Sequence, residues 1–158
     1  MKKPLRPPGA LPERDFLARC LRCGKCAQVC PFQSIRIAGL LDGLEQMGTP
    51  FIKPREKPCW LCMKCTAACP SGALDRKVKA KEIVRMGLAK IDNKTCLAWQ
   101  GTLCRSCYDE CPIFNEALIM DAELRPVVND KKCTGCGICE SVCPVDQAAI
   151  VVQPGVRS

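Results

Sequence analysis

Apolar residues along this chain come in short runs rather than in long periodic stretches. Five runs read as brief β-strands, at residues 34–37, 50–52, 87–91, 126–128 and 149–152, each aliphatic enough to favour a pleated, half-buried surface. Two others carry helical spacing. Leu40, Leu41, Leu44 and Met47 predict a helix over residues 39–48, and residues 78–85 predict about two further turns. Pro4, Pro7, Pro8 and Pro12 predict an extended N-terminal arm over residues 1–19, and Pro54 and Pro58 stiffen a later connection. No apolar run approaches the roughly 20 residues that a membrane-spanning helix needs.

The segments between these runs repeat. Four blocks recur with a period of about 37 residues, at residues 20–31, 59–70, 96–112 and 133–144. Block one holds Cys20, Cys23, Cys26 and Cys30, followed by Pro31. Block two holds Cys59, Cys62, Cys65 and Cys69, followed by Pro70. Block four holds Cys133, Cys136, Cys139 and Cys143, followed by Pro144. Block three is irregular, with Cys96 set apart from Cys104, Cys107 and Cys111 by the insertion 97–103. That insertion carries Trp99, and it reads either as a neutral loop or as a shield over a centre or a partner contact. All sixteen cysteines fall in the blocks.

The spacing C-x2-C-x2-C-x3-C-P is the bacterial ferredoxin pattern for a [4Fe–4S] cubane. Three cysteines at intervals of three let one tight loop present three thiolates, and Gly24, Gly135 and Gly137 allow close backbone approach. The fourth cysteine, read as the start of a short helical turn, points to the other cluster of a pair. Two pairings satisfy the pattern. Blocks one and two can pair with each other and three with four, or the blocks can nest. Nesting groups Cys20, Cys23 and Cys26 with Cys143, and Cys133, Cys136 and Cys139 with Cys30. It is favoured because it ties the chain ends together. Structural zinc, with or without nucleic-acid binding, is the remote alternative, since zinc usually takes two separated C-x2-C knuckles. Eight disulfides would require an oxidising compartment.

Composition then sharpens the reading. Four Phe, two Trp and one Tyr make a thin core for 158 residues, so bound metal is expected to supply folding energy. The formal charge of +8 ordinarily suggests nucleic acid. A cubane on four thiolates carries about two negative charges, so four cubanes nearly cancel the excess. Residues 1–95 carry nineteen basic and eight acidic side chains, against five and eight in residues 96–158. This asymmetry makes head-to-tail self-association an expected mode of assembly. Seven basic residues between Arg76 and Lys94 are expected to raise the potential of one nearby centre. The chain has no His, no spare Cys and no phosphate loop, so a non-catalytic electron carrier is expected rather than an enzyme. Residues 1–19 show neither an export h-region nor a twin-arginine pair, which leads to a cytoplasmic expectation.

With its blocks in view, the chain resembles the NapG/MauM family of ferredoxin-type subunits. The likeness runs from Arg6-Pro-Pro-Gly-Ala-Leu through Phe16-Leu-Ala-Arg-Cys20, Gly48-Thr-Pro-Phe-Ile and Asp92-Asn-Lys-Thr-Cys96-Leu to Ala148-Ala-Ile-Val-Val. It implies an α+β fold of tandem bacterial-ferredoxin-like 2[4Fe–4S] modules, with short β-hairpins and short helices around four clusters. Those modules would span residues 20–158 behind the arm. The family serves nitrate reduction and methylamine oxidation. The compact block two and the missing twin-arginine pair turn the expectation towards a cytoplasmic complex. In it the chain would link a tungstopterin aldehyde oxidoreductase subunit to a flavin subunit using NAD. A NapG/MauM-type role in a quinol-to-nitrate-reductase or amine-oxidation chain is the alternative.

Overall fold

A strand of three residues cannot satisfy its backbone alone, so the short apolar runs pair. The computed structural model describes residues 3–155. Strands β1 (Ile35–Ile37) and β2 (Pro50–Ile52) lie antiparallel, with Ile35 opposite Ile52. β3 (Gly87–Ile91) takes β6 (Ile150–Pro154) from the far end of the chain, with Ala89 opposite Val152. β4 (Leu118–Met120) and β5 (Pro126–Val128) form a hairpin. The sequence reading missed β4, whose signal lies in its turn. There the Asp121 carboxylate accepts the backbone N–H groups of Glu123 and Arg125, an Asx-type turn that reverses the chain.

These pairs build two halves on one plan. The second half has an inner hairpin, β4–β5, and an outer pair, β3–β6. The first has the inner hairpin β1–β2, while its outer pair shrinks to one bridge between Ala10 and Leu74. That bridge is backed by Leu11 N–H donating to Ala73 O and Asp75 N–H to Gly9 O. Helices α2 (Lys25–Gln28) and α3 (Lys64–Ala68) pack together in the first half. Helices α4 (Ser106–Asp109) and α5 (Ile138–Ser141) do so in the second.

Three expectations need correction. The arm is extended only to Pro12; residues Glu13–Arg19 form α1, with Glu13 and Asp15 in the first turn and Arg19 in the last. That charge order suits the helix dipole. Residues 39–48 form no regular helix, only the single 3-10 turn Leu40–Asp42 followed by further turns. Leu40, Leu41 and Leu44 remain exposed, so nothing lies beneath to reward a helical face. Residues 78–85 likewise reduce to the turn Lys81–Ile83. Two of their carbonyls, Glu82 O and Val84 O, are claimed by the Arg85 guanidinium, which also donates to Lys131 O.

Phe16, Leu74 and Val84 are fully buried, and the buried cysteines belong to the same apolar cluster. The arm is anchored by Arg6, which is itself buried. Its guanidinium donates to Glu13, Gln46, Thr49 Oγ1 and Pro50 O and stacks 4.5 Å above the Phe16 ring. Burial pushes the Glu13 carboxyl up, but the hydrogen bond and charge of Arg6 outweigh it and hold the group below 4.5. A carboxyl lowered on folding stabilises above its unfolded value and loses that contribution as acid carries pH through the folded value. Arg6→Met should lower stability by about 2–4 kcal/mol, because acceptors buried around the guanidinium lose their donor. Thermal denaturation of the metal-loaded protein checks this, and an unchanged midpoint would contradict it.

Candidate metal centres

Each cysteine block is a tight loop leading into a short helix. In block one, Arg22 and Gly24 have positive φ on either side of Cys23 (53° and 70°). Leu61 and Met63 do the same around Cys62 (55° and 57°), and Gly135 and Gly137 around Cys136 (72° and 83°). Alternating left-handed residues turn successive N–H groups inwards, as in an anion-binding nest. Space dictates glycine in block four: a Cβ at Gly135 would lie 2.4 Å from Gly87 N, and one at Gly137 2.3 Å from Pro54 Cβ. Block three departs from the pattern, with Arg105 at a negative φ of −136° where the other blocks have a left-handed residue. The third cysteine of each block sits in the helix; the fourth follows its end rather than starting it.

The sixteen cysteines gather into four sets of four. Cys30, Cys59, Cys62 and Cys65 (set II) line one cavity. Cys111, Cys133, Cys136 and Cys139 (set III) line a second, and Cys96, Cys104, Cys107 and Cys143 (set IV) a third. The remaining four form set I, where the Cys26 thiol feels Cys20, Cys23 and Cys69. Blocks one and two therefore exchange their fourth cysteines, as do three and four. The nested pairing is corrected. Its premise was that the ends need a shared centre; instead Gly155 comes beside Lys3 with no cysteine involved.

The sets stand in a row. Cys65 of set II feels Cys26 of set I, and Cys59 of set II feels Cys136 of set III. Cys139 of set III feels Cys107 of set IV. The order is thus I, II, III, IV, which in block terms runs one, two, four, three. Among the described residues no three His, Cys, Asp or Glu donors converge on a single ion. Four sulfurs that line a common cavity without converging on one ion suit a polynuclear centre better than zinc.

Burial pushes the Cys26 thiol up to about 11, and those of Cys59, Cys65 and Cys107 up to about 12. Unaided thiolates are thus disfavoured in these cavities; a cationic iron–sulfide core is what offsets their charge. Backbone donors help at the fourth cysteines. Ser34 N–H, Leu74 N–H and Ala149 N–H point to Cys30, Cys69 and Cys143 Sγ at 3.4–3.5 Å. For Cys69 burial raises the thiol pKa, but the donors from Leu74 and Ser71 outweigh it. The basic stretch reaches more than one centre. Arg76 holds Cys69 O beside set I, whereas Lys81 Nζ holds Pro112 O beside set III. Trp99 packs on β5, donating to Pro126 O under the Arg125 guanidinium; it is Leu97 that lines set IV.

Paired cysteine blocks exchanging a ligand, each pair with its own hairpins, define an iron–sulfur electron-transfer protein with two [4Fe–4S] dicluster ferredoxin domains. The description "4Fe-4S dicluster domain" matches residues 19–73 and again residues 89–151. The chain belongs to the NapG/MauM family of ferredoxin-type proteins. It is 44% identical to the ferredoxin-type protein NapG of Escherichia coli over 95% of this chain and 70% of that protein. It is also 44% identical to the methylamine utilization ferredoxin-type protein MauM of Methylorubrum extorquens, over 96% and 73%. A second Escherichia coli protein, ferredoxin-type NapF, is 32% identical over 89% and 80%.

Proposed function

We propose that the chain is a non-catalytic electron-transfer subunit of two tandem ferredoxin-like modules, holding four [4Fe–4S] clusters, one on each cysteine set. The observation carrying this reading is the gathering of sixteen cysteines into four sets, three of which each line a common cavity. A bound cluster supplies one-electron chemistry at each set. The protein's own part is to space the sets, bury them and aim N–H groups at their sulfurs. A row has two ends, so a donor would meet set I or set IV and an acceptor the other.

The relatives favour a role in an oxidoreductase chain of the NapG/MauM kind, such as nitrate reduction or amine oxidation. The methylamine utilization named for MauM supports it. Nothing supports the tungstopterin and flavin partners expected from the sequence, and the NapG/MauM chain replaces them here. No helix among the described residues is long and apolar enough to cross a membrane. Cytoplasmic assembly is part of the proposal, because cluster insertion needs sixteen reduced thiols and the cytosol keeps thiols reduced. Anaerobically purified protein should carry about sixteen iron and sixteen acid-labile sulfide per chain, with a broad visible absorption that reductant bleaches. Zinc in place of iron, or iron for only two centres, would defeat the reading.

A further inference from the structure

The two halves meet where residues 54–59, leading from β2 into block two, rest on block four. Three contacts make this junction. Pro54 fills the space a Cβ on Gly137 would need. Cys59 N–H donates to Cys136 O at 2.9 Å. The Arg55 guanidinium donates to Glu140 O, Cys143 O and Val145 O, each at 2.8 Å, and more distantly to Ser141 O and Asp146 O. These carbonyls fan out from the end of α5, where helix termini leave acceptors unsatisfied. One side chain of the first half thus grips the backbone on both sides of Cys143, a set IV residue, while its near neighbour Cys59 touches set III.

We infer that Arg55 is the positioning residue of the inter-module electron junction. This rests on the proposed four-cluster reading. Within a half, adjacent sets share a covalent path: Cys26 and Cys30 lie one helical turn apart on α2 and its end, and so do Cys65 and Cys69 on α3. Between halves no such turn exists, and the Cys59–Cys136 hydrogen bond is the short connection. Arg55 holds that connection closed by clamping block four against the strand end that delivers Cys59. The step it serves is balanced by itself: one electron leaves the reduced centre on set II as the oxidised centre on set III receives it. The planar fork matters more than the charge, because several carbonyls in different directions must be reached at once. A lysine ammonium on a flexible stem does not reproduce that geometry.

The test uses the full metal-loaded chain with Arg55→Ala, Arg55→Lys and Pro54→Ala. Iron and sulfide are measured first, then the kinetics of visible bleaching after rapid photoreduction. In the parent all centres should bleach in one phase. Arg55→Ala should keep its iron but bleach in two phases of similar amplitude, the second slowed severalfold; Arg55→Lys should resemble Arg55→Ala, and Pro54→Ala should show a milder split. A single parent-like phase in Arg55→Ala, recovery in Arg55→Lys, or iron loss from both halves would overturn the inference. A parent lacking [4Fe–4S] centres would instead overturn the function on which it rests.

Discussion

Stripping iron from the reduced, anaerobic protein with a chelator is expected to unfold it. Among the described residues, twenty-five make the buried cluster at its centre, and eight of them are cysteines facing the four sets. Without metal, sets II, III and IV are cavities walled by thiols. Left neutral, the thiols surround a void and forfeit packing. Ionised, they are buried anions that repel one another, which is why burial drives Cys59, Cys65 and Cys107 to about 12. Metal-binding energy is then folding energy. The sign with pH follows. A thiol pKa raised on folding favours the folded form below its unfolded value near 9 and loses that contribution as pH rises through 11–12. Any structure surviving iron removal should therefore vanish in alkali. Far-ultraviolet circular dichroism and a thermal scan decide the matter: a cooperative transition in the metal-free protein would refute the expectation.

Cys30→Ala is expected to abolish the centre shared with block two and to spare block four. Counting iron across double variants makes the assignment sharp, because residues serving one centre are not additive. Cys30→Ala and Cys59→Ala should each remove about four iron atoms, and together hardly more. Cys30→Ala with Cys133→Ala should remove about eight. The nested pairing demands the opposite, with Cys30 and Cys133 sharing one loss. The effect is large in either case, so colorimetric iron analysis is sufficient.

What the sequence revealed was whatever chemistry is local. The cysteine blocks are legible because three thiolates must come from one loop, and a loop's ligands lie close together in the chain. Strands β1, β2, β3, β5 and β6 were visible as aliphatic runs. Pairing of the blocks was not visible, since it depends on α2 packing against α3 and α4 against α5 across connections of variable length. The start of α1 after Pro12 carried a readable signal in its acidic first turn, masked by the prolines before it. The leucines at 40, 41 and 44 misled because spacing alone does not show whether a surface exists to cover them. Arg55 gave no sign at all. Its acceptors are backbone carbonyls 85 to 91 residues away, and carbonyls are the same in every sequence.

The exchange of fourth cysteines also limits how such chains lengthen over evolutionary time. A duplicated single block would bring three thiolates for a new cluster and a fourth aimed at a neighbour already complete, leaving one iron short of its sulfur. Only pairs are self-sufficient, and the spans 19–73 and 89–151 are two such pairs. Longer conductors descended from this plan should therefore grow by two centres at a time, with the seam falling between residues 74 and 88. A transplanted pair would need to bring its own counterpart of the Arg55 clamp to join the row.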